Sequence, residues 1–268
     1  MELRSLLEIA VEAAEQAGSQ LLSFQGDRAD GRDLDVSTKT STTDPVSEAD
    51  RAAERTIAAV LARERPDDGL LAEEDQATRR GTTGLRWVVD SLDGTVNFLY
   101  GIPLWCVSVA CEDEQGPLVG VVHDPNRAET FRASRGEGAW LGTRPLAVSQ
   151  VADVADTLVA TGFAYDPAVR ADQGRDAAAL LSVVRDLRRG GAAALDLAWV
   201  AAARIDAYLE FGLAPWDWAA GRLLVAEAGG RVTERTRWLG GRQLPGLVAS
   251  GDGVHGALNA WLDEQAAP

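Results

Sequence analysis

Histidine and cysteine are scarce: the 268 residues hold two of each. With only His123 and His255, a histidine general base or a Ser–His–Asp triad has few candidates. Cys106 and Cys111 are spaced neither as a zinc knuckle nor as a redox pair. On one strand an odd separation puts them on opposite faces, so both read as small core residues. No apolar run approaches a membrane span. The opening MELRSLLEIAVEAAEQAGSQ has acids scattered through it and no cleavage site, unlike a secretory signal. The expectation is a cytoplasmic protein with no membrane partner. Basic runs are missing too, beyond Arg79–Arg80 and Arg188–Arg189, which read as helix-surface pairs. The net charge of −15 repels a phosphate backbone, so a nucleic-acid partner is not expected.

What is present is an ordinary globular composition, long enough for one large domain or two small lobes. Leu6, Ile9, Ala10, Ala13, Ala17, Leu21 and Phe24 predict a helix over 3–24. A polar, Asp-rich loop follows to about Ser41. Ser47 then caps a second helix with Ala53, Ile57, Val60 and Leu61 on one stripe, stopped by Pro66. Strands are predicted at Leu70–Ala72, Leu85–Val89, Cys106–Cys111, Leu118–Val122 and, around a Gly136/Gly138 turn, Thr130–Leu141. Beyond about residue 150 come a strand at Thr157–Thr161, a helix over 172–188 and an Ala-rich buried helix at Ala193–Ala203. A short strand Ala207–Glu210, a helix Trp216–Ala228 closed by Gly229–Gly230, strands Arg231–Thr236 and Gly246–Ser250, and a last helix complete the chain. Strands and helices alternate without a strict βαβ rhythm. That favours an α/β (α+β) layered sandwich in two lobes over a doubly wound sheet.

Acidic residues stand at the ends of these elements. They are Asp44 and Asp50 in KTSTTDPVSEAD, Glu73 in LLAEED, Asp90 and Asp93 in WVVDSLDGTVNF, and Asp217 in APWDWAAG. Each has an ordinary explanation alone. Asp50 completes a capping box with Ser47, Asp217 favours a helix N-terminus, and Glu73–Glu74 are solvated loop charges. Together they form a set of hard oxygen ligands without histidine or cysteine, which suits Mg²⁺. Two such ions about 4 Å apart can bind one phosphate and activate one water. Asp90 can bridge them, Gly94 lets the chain turn, and the Gly94 and Thr95 N–H groups can meet phosphate oxygens. Haloacid-dehalogenase-type phosphatases also carry Asp-Gly-Thr near a strand end, with a nucleophilic aspartate two residues before the second Asp. Here that position is Ser91, so direct attack by water is favoured over an aspartyl-phosphate.

These motifs resemble the inositol monophosphatase family over nearly the whole chain. Its D-x-x-D-G-T-x-N-F core stands here as Asp90 to Phe98. Its W-D-x-A-A-G stands as Trp216 to Gly221, with E-A-G-G at Glu227 to Gly230. The upstream K-x-x-x-x-D-x-V-[ST]-x-x-D segment is Lys39 to Asp50, and G-E-E appears as Ala72-Glu73-Glu74. The resemblance implies the αβαβα sugar-phosphatase sandwich and a single catalytic domain over 1–268. A lobe of about 1–145 would carry the metal site, and one of about 146–268 the substrate contacts. It implies two to three Mg²⁺ ions. Glu73, Asp90 and the Leu92 carbonyl would hold the first; Asp90, Asp93 and Asp217 the second; a third would lean on Glu73. Glu73 and Thr95 would orient the attacking water, and Asp50 would pair with the Thr95 hydroxyl. The Gly94 and Thr95 amides would take the phosphate. Asp93, Gly191, Ala192, Ala193, Glu210 and Asp217 would meet the alcohol half.

Three residues depart from the family pattern. Ser91 stands where proline is usual, Ala72 where glycine is usual, and Ala192 where a hydroxyl residue is common. The implied activity is hydrolysis of a small phosphorylated polyol or sugar, foremost inositol 1-phosphate, by a homodimer with some lithium sensitivity. Relatives sharing the core cleave fructose 1,6-bisphosphate, histidinol phosphate or adenosine 3′,5′-bisphosphate. An inactive metal-binding regulatory protein is the alternative from another class. Such a protein would be expected to lose Glu73, Thr95 or Asp217, and all three are present.

Overall fold

The computed structural model describes residues 3–29, 36–38, 45–74 and 79–265. Asp44 and Lys39 lie outside them. The chain runs α1 (Leu3–Ala29), β1 (Val36–Thr38), β2 (Pro45–Ser47), α2 (Glu48–Glu64), β3 (Gly69–Ala72), β4 (Arg86–Asp93), α3 (Thr95–Tyr100), β5 (Cys106–Asp113), β6 (Gly116–Asp124), β7 (Glu129–Ser134), β8 (Gly138–Leu141) and β9 (Arg144–Pro145). There follow β10 (Leu158–Ala160), α4 (Pro167–Leu180), β11 (Asp186–Arg188), α5 (Ala193–Ala201), β12 (Ala207–Phe211), α6 (Pro215–Glu227), β13 (Arg231–Leu239), β14 (Arg242–Ser250) and α7 (Asp252–Gln265).

Three apolar layers stack these elements, and strand alternation decides which residue feeds which layer. In the seven-stranded sheet, ordered β3-β4-β5-β6-β7-β8-β9, Trp87, Val89, Val107 and Val109 face α1 and α2. Their neighbours Val88, Cys106, Ala110 and Val122 face the other way, onto α5 and α6. The five-stranded sheet, ordered β11-β10-β12-β14-β13, meets α5 and α6 through Ala160, Tyr208, Leu247 and Ala249. Its opposite face presents Val159, Leu209, Phe211 and Val248 to α4 and α7. The order helix, sheet, helix, sheet, helix is the expected layered α/β sandwich. Cys106 and Cys111 fall in different layers, as their odd spacing predicts.

Close approach within the middle layers depends on missing side chains. A Cβ on Gly120 of β6 would lie 2.9 Å from the Ala220 carbonyl oxygen of α6. A Cβ on Gly221 would lie 2.6 Å from Leu197 Cβ of α5. Backbone and side-chain stems therefore touch directly, which seats α6 closely on β6 and α5.

Several boundaries differ from expectation. The helix expected over 172–188 begins at Pro167 and ends at Leu180, and residues 186–188 form a strand parallel to β10. Asp166 sets the start by accepting the Ala168 N–H at 2.9 Å, and Pro167 suits a first helical position. Arg188 thus closes a strand and is not a helix-surface residue. The helix over 3–24 runs on to Ala29, and the strand over 85–89 continues to Asp93 with its pairing to β5 irregular between Asp90 and Asp93. Val36–Thr38, expected in a loop, pairs antiparallel with Pro45–Ser47.

Two helical glycines make a paired test. Gly221→Ala is expected to destabilise the protein by about 1–2 kcal/mol, because the added methyl must displace Leu197 and this outweighs the better helix propensity. Gly174→Ala in α4, where a Cβ meets nothing within 4 Å, is expected to stabilise by about 0.5–1 kcal/mol. Urea denaturation of both variants checks the opposite signs.

Candidate active site

The acidic end of β4 is built by its own turn. Asp90 is 2% exposed, and its Oδ1 accepts the Leu92 N–H at 3.0 Å. Gly94 then takes φ +96°, and a Cβ there would stand 2.9 Å from the Leu104 carbonyl oxygen. No other residue fits this turn without strain. The first amides of α3 follow, without partners inside the helix. The Thr95 hydroxyl lies 2.9 Å from Asp50 Oδ1 and 3.1 Å from the Leu92 carbonyl oxygen. Its single proton serves one of them at a time. Asp50, on the first turn of α2, is 1% exposed. Ser91, in the place of a proline, donates to the Asp50 carbonyl oxygen at 3.1 Å and so ties this turn to α2.

Asp93 reaches into another layer. Its Oδ2 accepts the Ala194 N–H of α5 at 2.7 Å and the Cys106 thiol at 3.6 Å. Burial pushes its carboxyl up to about 6, the Ala194 N–H opposes this, and Glu73 adds to it. Asp217 stands on the first turn of α6, where its Oδ2 accepts the Ala214 N–H at 2.7 Å. Burial holds its carboxyl well above the usual range, and Glu73 and Asp93 push the same way. On β12 the Glu210 Oε2 accepts the fully buried Tyr208 hydroxyl at 2.7 Å. Burial pushes Glu210 up to about 7, against the pull of Tyr208 and Arg189.

These groups meet in one cleft of about 360 Å³. Glu73, Asp90, Leu92, Asp93, Gly94, Thr95, Gly191, Ala192, Ala193, Glu210 and Asp217 all line it. Asp50 alone among the expected site residues stands behind the wall, reaching the cleft through Thr95. Neither histidine lines it. His123 bonds Thr130, His255 bonds Thr233 and Ser250, and burial lowers both imidazoles. A roomier groove of about 770 Å³ lies between α1 and β7–β8, but its Glu8, Glu12 and Glu15 are engaged by Arg4, Arg63 and Thr130.

The sequence reading missed four charged lining residues, Asp166, Arg189, Asp196 and Arg242, along with uncharged wall such as Gly162 and Tyr165. Asp196 left one signal, a lone acid between Leu195 and Leu197 in an otherwise apolar helix. Asn97, inside the acidic core motif, proves to be a tie: its Nδ2 donates to the carbonyls of Leu104 at 2.6 Å and Gly190 at 2.8 Å.

A sequence profile described as the inositol monophosphatase family matches residues 2–267. The chain belongs to the inositol monophosphatase family. An inositol-1-monophosphatase of Synechocystis is 40% identical over 233 residues, covering 87% of this chain and 79% of that protein. A Nus factor SuhB of Xylella fastidiosa is 44% identical over 229 residues, covering 85% and 81%. The crystal structure of extragenic suppressor protein suhB from Bartonella henselae superposes with a TM-score of 0.87 at 36% identity, over 96% of this chain and 98% of that one. As an inositol monophosphatase family member, the protein is a phosphatase by fold and relationship.

The family is generally metal-dependent, and the donor set fits a hard divalent cation. The cleft offers carboxylate and carbonyl oxygens, no histidine and no thiol, and its acids raise one another's proton affinity. Among the described residues, no three His, Cys, Asp or Glu side chains are already grouped to hold an ion.

This electrostatic crowding has a measurable consequence. Glu210 binds its proton more tightly folded than unfolded, so its contribution to stability is full below pH about 4.5 and is lost as the pH rises through about 7. In chelator, the unfolding free energy is expected to fall between pH 5 and pH 8. In Glu210→Gln it should fall by about 2 kcal/mol less, a figure reduced because the side chain faces the open cleft. Equal falls in both proteins, measured by urea denaturation, would refute the assignment.

Proposed function

We propose that this protein hydrolyses the phosphate monoester of a small polyol, with inositol 1-phosphate as substrate, in an Mg²⁺-dependent reaction with direct attack by water. The observation that carries the reading is the convergence of buried Asp90 and Asp93 with half-buried Asp217 in one cleft beside the Gly94–Thr95 turn. Such a cluster is costly without a cation, and the adjacent amides complement an anion.

On this reading Glu73, Asp90 and the Leu92 carbonyl would hold one ion, Asp90, Asp93 and Asp217 a second, and a third would lean on Glu73. Bound Mg²⁺ supplies Lewis-acid stabilisation of the phosphoryl charge and lowers the pKa of water. The protein's own groups supply position. Asp50 accepts the Thr95 proton, which leaves the Thr95 lone pairs turned to the cleft, where with Glu73 they orient the attacking water. The Gly94 and Thr95 amides bind phosphate oxygens. Water adds to phosphorus, the ester P–O bond breaks, and the leaving oxygen takes a proton to give the free alcohol. Asp93 and Glu210 accept hydroxyls of the alcohol half, with Gly191 to Ala193 as backbone wall. Ala192 offers no hydroxyl there. Residues to about 145 then form a lobe with most of the metal site, and 146–268 a lobe with the substrate contacts and Asp217. The protein works as a cytoplasmic homodimer.

Relatives named Nus factor SuhB favour a second reading, in which this chain serves as a Nus factor. Retention of Glu73, Thr95 and Asp217 supports hydrolysis in either case.

The test is phosphate release from inositol 1-phosphate, fructose 1,6-bisphosphate, histidinol phosphate and adenosine 3′,5′-bisphosphate, each with Mg²⁺ and with EDTA. The expected result is preference for inositol 1-phosphate, abolished by EDTA and lowered about 10³-fold or more in Asp93→Asn. Metal-dependent preference for another substrate would replace the substrate assignment. No release from any of them would overturn the reading.

A further inference from the structure

Asp196 sits in the first turn of α5 at 3% exposure, between core residues Leu195 and Leu197. Its carboxylate accepts no hydrogen bond from any described residue and lines the cleft. Among the described residues the cation acting on it is Arg189, exposed at the cleft rim. A buried carboxylate in this state works against folding. The apolar helix around it gives no structural reason for an acid.

The wall is nevertheless shaped to take it. A Cβ on Gly190 would stand 2.6 Å from Asp196 Oδ1. Glu210 sits the same way, with a Cβ on Gly162 falling 2.0 Å from its Oε2. Both carboxylates therefore rest in glycine cradles, both line the same cleft, and Arg189 acts on both. Tyr208 occupies one oxygen of Glu210. No described residue donates to the remaining oxygens, whereas the Asp90–Asp93–Asp217 group lies by the phosphate turn.

We propose that Asp196 is a specificity-determining residue which, paired with Glu210, accepts hydrogen bonds from two hydroxyls on the alcohol half of the substrate. A carboxylate forms short, strong bonds with hydroxyl donors, and a site built on such bonds rejects analogues that lack them. The substrate class is thereby narrowed to phosphate esters of polyols with at least two free hydroxyls beyond the ester. This inference rests on the phosphomonoesterase reading above.

The experiment compares inositol 1-phosphate with 4-nitrophenyl phosphate, which has the same ester group and no hydroxyl. Initial rates are measured for the unsubstituted protein, Asp196→Asn and Asp196→Ala, with melting temperatures alongside. Asp196→Ala is expected to lower kcat/KM for inositol 1-phosphate at least about tenfold, mainly through KM, with Asp196→Asn intermediate. For 4-nitrophenyl phosphate kcat/KM should stay within about twofold, and neither variant should melt lower than the parent. Equal losses on both substrates, or no loss on either, would overturn the inference while leaving the phosphatase reading intact. If the unsubstituted protein cleaves only 4-nitrophenyl phosphate, the polyol class falls. If it cleaves neither, the phosphatase reading falls and takes the inference with it.

Discussion

One buried carboxylate couples the layers of this molecule. Asp93 ends β4 in the seven-stranded sheet, and its Oδ2 accepts the Ala194 N–H at the start of α5, 101 residues away. An acid at a helix N-terminus favours the unsatisfied amides and the helix dipole together. The same oxygen takes the Cys106 thiol from the neighbouring strand. The start of α5 is therefore positioned by the very residue that faces the cleft. Helix α5 in turn meets α6 through Leu197 and Gly221, and α6 carries Asp217. Asn97 adds a second tie, from α3 to the Gly190 carbonyl in front of α5. Asp93 and Asp217 come from distant parts of the sequence, yet few flexible links separate them.

Such an arrangement trades stability for charge. Burial is the largest influence on Asp93, Asp196, Glu210 and Asp217, and for each of them another acid adds to it. Three apolar layers supply the compensation, and the acids concentrate where strands and helices end, outside the layers themselves. Elsewhere the protein satisfies buried acids fully. Asp68, also 1% exposed, receives Arg65, Thr83 and Trp87, and Asp124 receives Arg127 and two turn amides. The contrast between satisfied acids in the framework and crowded acids in the cleft is the physical mark of the site.

Much of this was legible in the sequence where one local rule governs. The period of 3.6 marked α1 and α2, and the period of 2 placed Cys106 and Cys111 on opposite faces. The acids at element ends pointed to Glu73, Asp90, Asp93 and Asp217, with Gly94 marking the turn after the Asp90–Asp93 strand. What stayed hidden depends on distant partners. Asp186–Arg188 becomes a strand only because β10 lies beside it, so its local pattern read as more helix. Asp50 satisfied the local logic of a capping box, and only the family resemblance, not its neighbours, pointed to its pairing with Thr95, 45 residues on. Arg189 read as half of a surface pair, yet the turn at Gly191 folds its guanidinium back over the cleft wall, 2.4 Å from where a Cβ would stand.

The glycines around the cleft follow from the same constraint. Glu210 has one hydrogen bond from a side chain, that of Tyr208, and no described residue bonds the Asp196 carboxylate, so contact does much of the fixing, and contact with backbone is closest where no Cβ intervenes. Gly162 and Gly190 provide that contact to Glu210 and Asp196. Gly94 and Gly191 do something different, adopting φ +96° and +89° so that the chain turns away and leaves the wall open. A side chain at either of the first two positions would push an acid into the cleft and fill it; at either of the second two it would strain the turn that forms the cleft. The substrate cleft is in this sense defined by absent side chains as much as by the acids, and its selectivity depends on both kinds of residue at once.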